Sequence, residues 1–167
     1  MKATWTTLFL CLALVAAGCG DDDDAPTSAG SNESSSARSP AEAAEGSKPT
    51  VTVPTGSPPR QLVEEDLIEG GGPSAKAGDR VTVQYVGVGF DSNQEFDASW
   101  DRGEPFSFQL GAGEVIPGWD QGIEGMKVGG QRQLVIPANL AYGEVGSPPA
   151  IKPNEALVFV VDLLAVE

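Results

Sequence analysis

The sequence predicts an α+β domain: a curved antiparallel β-sheet of four to five strands wrapped over one short α-helix. Three observations carry this. Apolar and polar residues alternate in Val81-Thr82-Val83-Gln84-Tyr85 and again in Phe106-Ser107-Phe108-Gln109-Leu110, the period of a half-buried strand. Glycine-rich joints separate such runs, at Gly70-Gly71-Gly72, Gly87 and Gly89, Gly111 and Gly113, and Gly129-Gly130. One short stretch, beginning at Pro117, carries a helical period instead.

The chain opens with an export signal. Lys2 supplies a minimal positive start, and Trp5 to Ala17 is a mostly apolar run. It is too short for a membrane-spanning helix, which needs ~20 residues. Small residues then precede Cys19, the layout of a secretory signal peptide with its cleavage site. Ala16-Ala17-Gly18-Cys19 resembles the bacterial lipobox, which implies acylation of Cys19 and a membrane anchor. The segments expected are therefore a signal peptide at 1–18, a lipidated cysteine and tether at 19–60, and a folded domain at 61–167. Cys11 lies inside the signal and leaves with it.

Asp21 to Asp24 place four like charges beside the anchor, where an anionic lipid surface repels them. Ala25 to Pro59 is rich in Ser, Pro, Ala, Gly, Thr and Glu, with no aromatic residue and no Leu or Ile. Such a stretch buries too little apolar surface to offset the entropy of ordering it, so it reads as a disordered tether. The prolines beside Val51-Thr52-Val53 argue against an added edge strand there.

Within the domain, the strands of Val81 and Phe106 are joined by two more, Gln131–Ile136 and Ala156–Val166, the last nearly continuous in Leu, Val and Phe. Pro117 suits the first position of a helix, where its missing N–H costs nothing. Trp119, Ile123 and Met126 share one face, and Gly125 suits the C-terminal cap, giving a helix over Pro117–Glu124. A helix so short is marginal alone and must pack on the sheet.

Composition excludes several functions. With no histidine in the chain, neither a Ser-His-Asp triad nor a His-ligated metal is possible. The formal net charge is −14, and the domain lacks a basic stripe, which argues against nucleic acid. Both cysteines fall in the first twenty residues, so no disulfide staples the domain.

From Arg80 to Glu167, the pieces Val83-Gln84-Tyr85, Glu95-Phe96-Asp97, Glu104-Pro105-Phe106-Ser107-Phe108, Val115-Ile116-Pro117-Gly118-Trp119, Ala141-Tyr142-Gly143 and Leu157-Val158-Phe159 follow one another in an order that resembles the FKBP family of peptidyl-prolyl cis-trans isomerases. The FKBP fold is the sheet-over-helix arrangement already predicted. The resemblance implies an isomerase whose substrate proline sits over Trp119, between walls formed by Tyr85, Phe96, Phe106, Val115, Ile116 and Phe159. It makes the Ile116 backbone N–H and the Tyr142 hydroxyl donors to the substrate. Asp97 becomes the pocket carboxylate, which either stabilises the distorted amide or organises the pocket's hydrogen bonds. Taken alone, Asp97 five positions before Arg102 reads as a structural ion pair, and each aromatic reads as plain core.

Two departures stand out: Ser147 and Ala150, where many members have His and a larger aliphatic residue, imply a roomier rim, and Trp100 is unusual beside the carboxylate. No cofactor or metal is implied. The partners implied are proline-containing unfolded or nascent secreted proteins, the macrocyclic inhibitors of the family, and a membrane reached through the lipid anchor. The rival readings are a non-catalytic module that binds proline segments and a membrane-tethered chaperone.

Overall fold

A computed structural model of the chain describes residues 46–167. The signal peptide, Cys19 and the tether as far as residue 45 lie outside the described residues.

The sheet has six strands: β1 (Val63–Ile68), β2 (Arg80–Gly89), β3 (Glu95–Ala98), β4 (Phe106–Gln109), β5 (Gln131–Ile136) and β6 (Leu157–Val166). This is one more than the upper count expected. Every pairing is antiparallel, in the order β1-β5-β6-β2-β3, with β4 also on β2. β2 is long enough to serve two partners on one edge. Its first half, Arg80–Val83, pairs with β4, and its second half, Val86–Val88, pairs with β3. The chain between those partners leaves the sheet, and a four-residue helix, α1 (Ser99–Arg102), forms in the excursion. The Ser99 hydroxyl oxygen accepts the Tyr85 N–H at 2.8 Å, which ties the start of α1 back to β2.

Period-2 alternation sends side chains to two clusters. Val81, Val83, Leu134, Ile136, Leu157, Phe159 and Val161 face α2 (Pro117–Gly122) together with Phe108, Trp119, Ile123 and Met126. The intervening residues Val88, Val135 and Val158 gather with Phe90 and Ala156 on the other face, where Val51 and Val53 pack on them. No strand forms at Val51–Val53, in line with the prolines beside it. Yet residues 46–60, read from the sequence as tether, include a strap that covers apolar surface of the sheet. This double coverage explains why β6 is apolar on both faces.

α2 ends at Gly122, two residues earlier than the helix expected, and Gly125 turns left-handed at φ +82° three residues later. It lies very close to β5: a Cβ on Gly118 would overlap the Ile136 side chain. Arg132 of β5 closes the other end, donating at 2.9 Å to the Gly122 carbonyl, one of the acceptors a helix end leaves unpaired. The same guanidinium makes a two-pronged contact with its cross-strand neighbour Asp66 at 2.6 and 3.0 Å. One buried arginine thus joins β1, β5 and the helix. At the other end of α2, Asp120 accepts the Gly111 and Gly113 N–H groups at 2.8 and 3.1 Å, holding the loop after β4 against the helix.

Candidate active site

The helix and the strand ends around it enclose a cavity of about 200 Å³ lined by Tyr85, Phe96, Asp97, Phe106, Glu114, Val115, Ile116, Trp119, Tyr142 and Phe159. All nine residues singled out from the sequence are among them. They converge from separate elements: Tyr85 from β2, Phe96 and Asp97 from β3, Phe106 from β4, Trp119 from α2 and Phe159 from β6. Val115 and Ile116 come from the turn into α2, and Tyr142 from the loop after a 3₁₀ turn at Ala138–Leu140.

Trp119 forms the centre. It is 4% exposed and meets Tyr85 and Phe159 edge to face, with ring centroids 4.9 and 5.2 Å apart. Phe106 meets it at 6.3 Å, and Phe96 stands at right angles to Phe159 at 5.6 Å. Such edge contacts are the favoured aromatic geometry and hold the rings in register. They also depend on Gly87. A Cβ there would lie 2.6 Å from a ring carbon of Phe159 and 2.8 Å from one of Phe96. The sequence reading took Gly87 as a joint. It is instead the mid-strand gap in which two cavity aromatics are seated.

The polar side is a triangle. The Tyr85 hydroxyl donates to one oxygen of Asp97, and Arg102 donates to the other and to the Tyr85 oxygen, the last at 2.8 Å. The guanidinium carbon also lies 5.5 Å from the centre of the Tyr85 ring. The ion pair expected between Asp97 and Arg102 is therefore present, and it forms part of the cavity wall. Burial pushes the Tyr85 phenol above its ordinary range, with its hydrogen bond to Asp97 adding to the shift. The bond to Tyr85 raises Arg102, and that to Asp97 adds to it.

Two donors on cavity-lining residues have no protein partner among the described residues. Among the described residues no acceptor lies on the Ile116 N–H, which precedes the proline that opens α2. The Tyr142 side chain is 42% exposed, and its hydroxyl likewise has no partner among the described residues. The indole N–H of Trp119 is buried and likewise has no partner among the described residues. Glu114, which sequence reasoning missed, lines the rim beside Val115 and accepts the Gln109 N–H at 3.0 Å. Its signal was adjacency alone. Ser147 and Ala150, expected at the rim, are exposed and do not line the cavity, nor does Trp100.

The arrangement offers an apolar, ring-walled seat, a few fixed donors, and a carboxylate whose two oxygens are each already engaged. Nothing in it resembles a nucleophile with its base, and among the described residues no cluster of His, Cys, Asp or Glu could hold a metal.

The family model described as FKBP-type peptidyl-prolyl cis-trans isomerase matches residues 72–164. An FK506-binding protein of Streptomyces anulatus is 59% identical over 120 residues, which cover 71% of this chain and 97% of that protein. A probable FK506-binding protein of Corynebacterium glutamicum is 48% identical over 118 residues, covering 71% of this chain and 98% of that one. The crystal structure of AtFKBP13 superimposes with a TM-score of 0.60 at 38% identity, covering 64% of this chain and 93% of that one. The chain belongs to the FKBP-type peptidyl-prolyl cis-trans isomerases.

Proposed function

We propose that this isomerase accelerates rotation about the bond preceding proline in the cavity around Trp119, and that it does so outside the cytoplasm, on exported proteins. Uncatalysed, that rotation has a barrier of ~20 kcal/mol, which is the amide resonance lost on twisting. No proton transfer and no covalent intermediate are required. The catalyst has only to bind the twisted amide better than the planar one. The observation that carries the reading is the pairing of a buried aromatic floor with two donors that have no partner among the described residues, the Ile116 N–H and the Tyr142 hydroxyl.

On this reading the substrate's proline ring rests on Trp119. Removal of water disfavours the dipolar, planar amide relative to the twisted one and strengthens hydrogen bonds inside the site. The two donors engage substrate carbonyls and hold the segment across the floor. Asp97 acts as organiser: with one oxygen on Tyr85 and the other on Arg102, it fixes the wall against which the proline turns. The macrocycle FK506, named for the relatives, occupies the same seat and blocks turnover.

The lipid anchor on Cys19, the export signal at 1–18 and a tether between the anchor and residue 45 belong to the same proposal. Their support is the apolar run ending at Ala16-Ala17-Gly18-Cys19 and the composition of the segment that follows. The test is an isomerisation assay on a short proline-containing peptide with and without FK506, together with mass spectrometry of the mature N-terminus. Turnover abolished by FK506 and a lipidated Cys19 are expected. Tight binding of the peptide without turnover would instead mean a proline-binding module, and an unmodified N-terminus elsewhere would remove the anchor.

A further inference from the structure

The strap does more than cover the sheet. The Nζ of Lys48 lies 2.7 Å from Glu95 and 2.8 and 2.9 Å from the two oxygens of Asp101. Glu95 opens β3, and Asp101 lies in α1. Between them run Phe96 and Asp97, which line the cavity, and Arg102 follows directly. A single ammonium from far upstream therefore ties both ends of the segment that carries the polar wall.

That segment has few other ties. β3 makes three register pairs with β2, and the register slips between Gly87 and Val88. α1 has no side-chain N-cap, and Ser99 holds only its start. Asp101 and Arg102 project from an exposed turn. Without Lys48, the carboxylates of Glu95 and Asp101 would face each other with no cation between them, and like charges so placed repel. The repulsion would open the turn and carry Arg102 away from Asp97.

We propose that Lys48 is a positioning residue for the isomerase reaction, clamping Glu95 and Asp101 so that the Asp97–Arg102–Tyr85 triangle is held against the cavity. Lys48 lies outside residues 72–164, the extent of the family match. The similarity to the Streptomyces protein covers 71% of this chain, which is more than the stretch from Gln61 to Glu167, so it takes in part of residues 46–60 as well. The inference rests on the reading of the cavity as the isomerase site.

The test is kcat/KM of the full chain and its variants on a short proline-containing peptide, with Tyr142→Phe as the control. Lys48→Ala should lower kcat/KM roughly twofold to fivefold, and Lys48→Arg much less. Asp101→Asn removes one arm of the clamp but also one of the two repelling carboxylates, so it should cause a smaller loss and, combined with Lys48→Ala, offset part of that variant's loss. The loss should shrink at about 1 M salt, where screening acts over roughly 3 Å. A purely structural role would lower the melting temperature of Lys48→Ala without this salt-dependent change in kcat/KM. Unchanged kcat/KM in Lys48→Ala, or losses in the two variants that multiply, would overturn the clamp. A loss in Tyr142→Phe with none in Lys48→Ala overturns the clamp alone, whereas no loss in either overturns the reading of the cavity with it.

Discussion

Trp119, at the floor of the cavity, is 4% exposed and held by ring contacts on several sides, whereas the side chains of Asp97 and Arg102 on the polar wall are 41% and 42% exposed and held by charge. Tyr85 belongs to both regions. Its ring packs on Trp119, and its hydroxyl joins the carboxylate and the guanidinium. The floor is fixed by burial that folding itself drives, so its shape is set once the sheet closes on α2. The wall is solvated, and exposed ion pairs contribute little to stability. Its geometry has to come from a network: Asp97 with Arg102 and Tyr85, and beyond them Lys48 with Glu95 and Asp101. The cavity thus has one side that is costly to alter and one that solvent and salt can adjust.

The largest expected effect breaks the floor. Trp119→Ala should destabilise the domain by ~3–5 kcal/mol and abolish peptide binding, because the void left among the rings of Tyr85, Phe106, Phe108 and Phe159 cannot collapse fully. Asp97→Ala should shift the urea midpoint far less. Comparable shifts in the two variants would erase the distinction between floor and wall.

A smaller effect is expected from the strap. A chain beginning at Gln61 loses Val51 and Val53 and uncovers Val88, Phe90, Val135 and Val158. Relative to a chain beginning at Gly46 it should lose about 1–3 kcal/mol, the worth of one or two partly buried valines. Identical unfolding curves for the two chains would show that the strap leaves the second cluster no more stable.

Smaller again is the signature of Tyr85. Its phenol is held above the ordinary value of 10.0, mainly by burial. The unfolded chain ionises first as pH rises past that value, so stability should be intact below it and decline as pH climbs toward the folded-state value. Ultraviolet titration should reveal one phenol that resists ionisation near pH 10 and disappears in Tyr85→Phe. Absence of that delayed phenol from the unsubstituted chain would mean that Tyr85 is neither buried nor bonded to Asp97 in solution.

The floor was legible in the sequence because its residues sit on elements with strong local patterns. Tyr85 ends an alternating strand, and Trp119 follows the proline that opens a helix. The wall was legible only as residues: the spacing of Asp97 and Arg102 suggested their pair, but not that Tyr85 completes it. β1 escaped because its Val63-Glu64-Glu65-Asp66-Leu67-Ile68 is an exposed, charged edge without alternation, secured by a bond that Arg132 donates to Asp66 and that no local window contains. β3 escaped because it has four residues and a register slip. The strap left one trace. β6 is apolar at consecutive positions, which requires cover on both faces, and the second cover had to come from elsewhere in the chain. Gly87 left another, a glycine inside an apolar run where only a close approach of other groups accounts for it.

The central claim is that the cavity around Trp119 binds the twisted amide better than the planar one, with the donors at its mouth holding the substrate across the floor. Tyr142→Phe tests it most directly, since it removes one hydroxyl that has no partner among the described residues and leaves the ring in place. The account predicts a loss in kcat/KM of roughly fivefold to tenfold, equivalent to ~1 kcal/mol, with an unchanged unfolding midpoint. Full wild-type turnover retained in Tyr142→Phe and also in Asp97→Ala would contradict it and place the chemistry elsewhere on the domain.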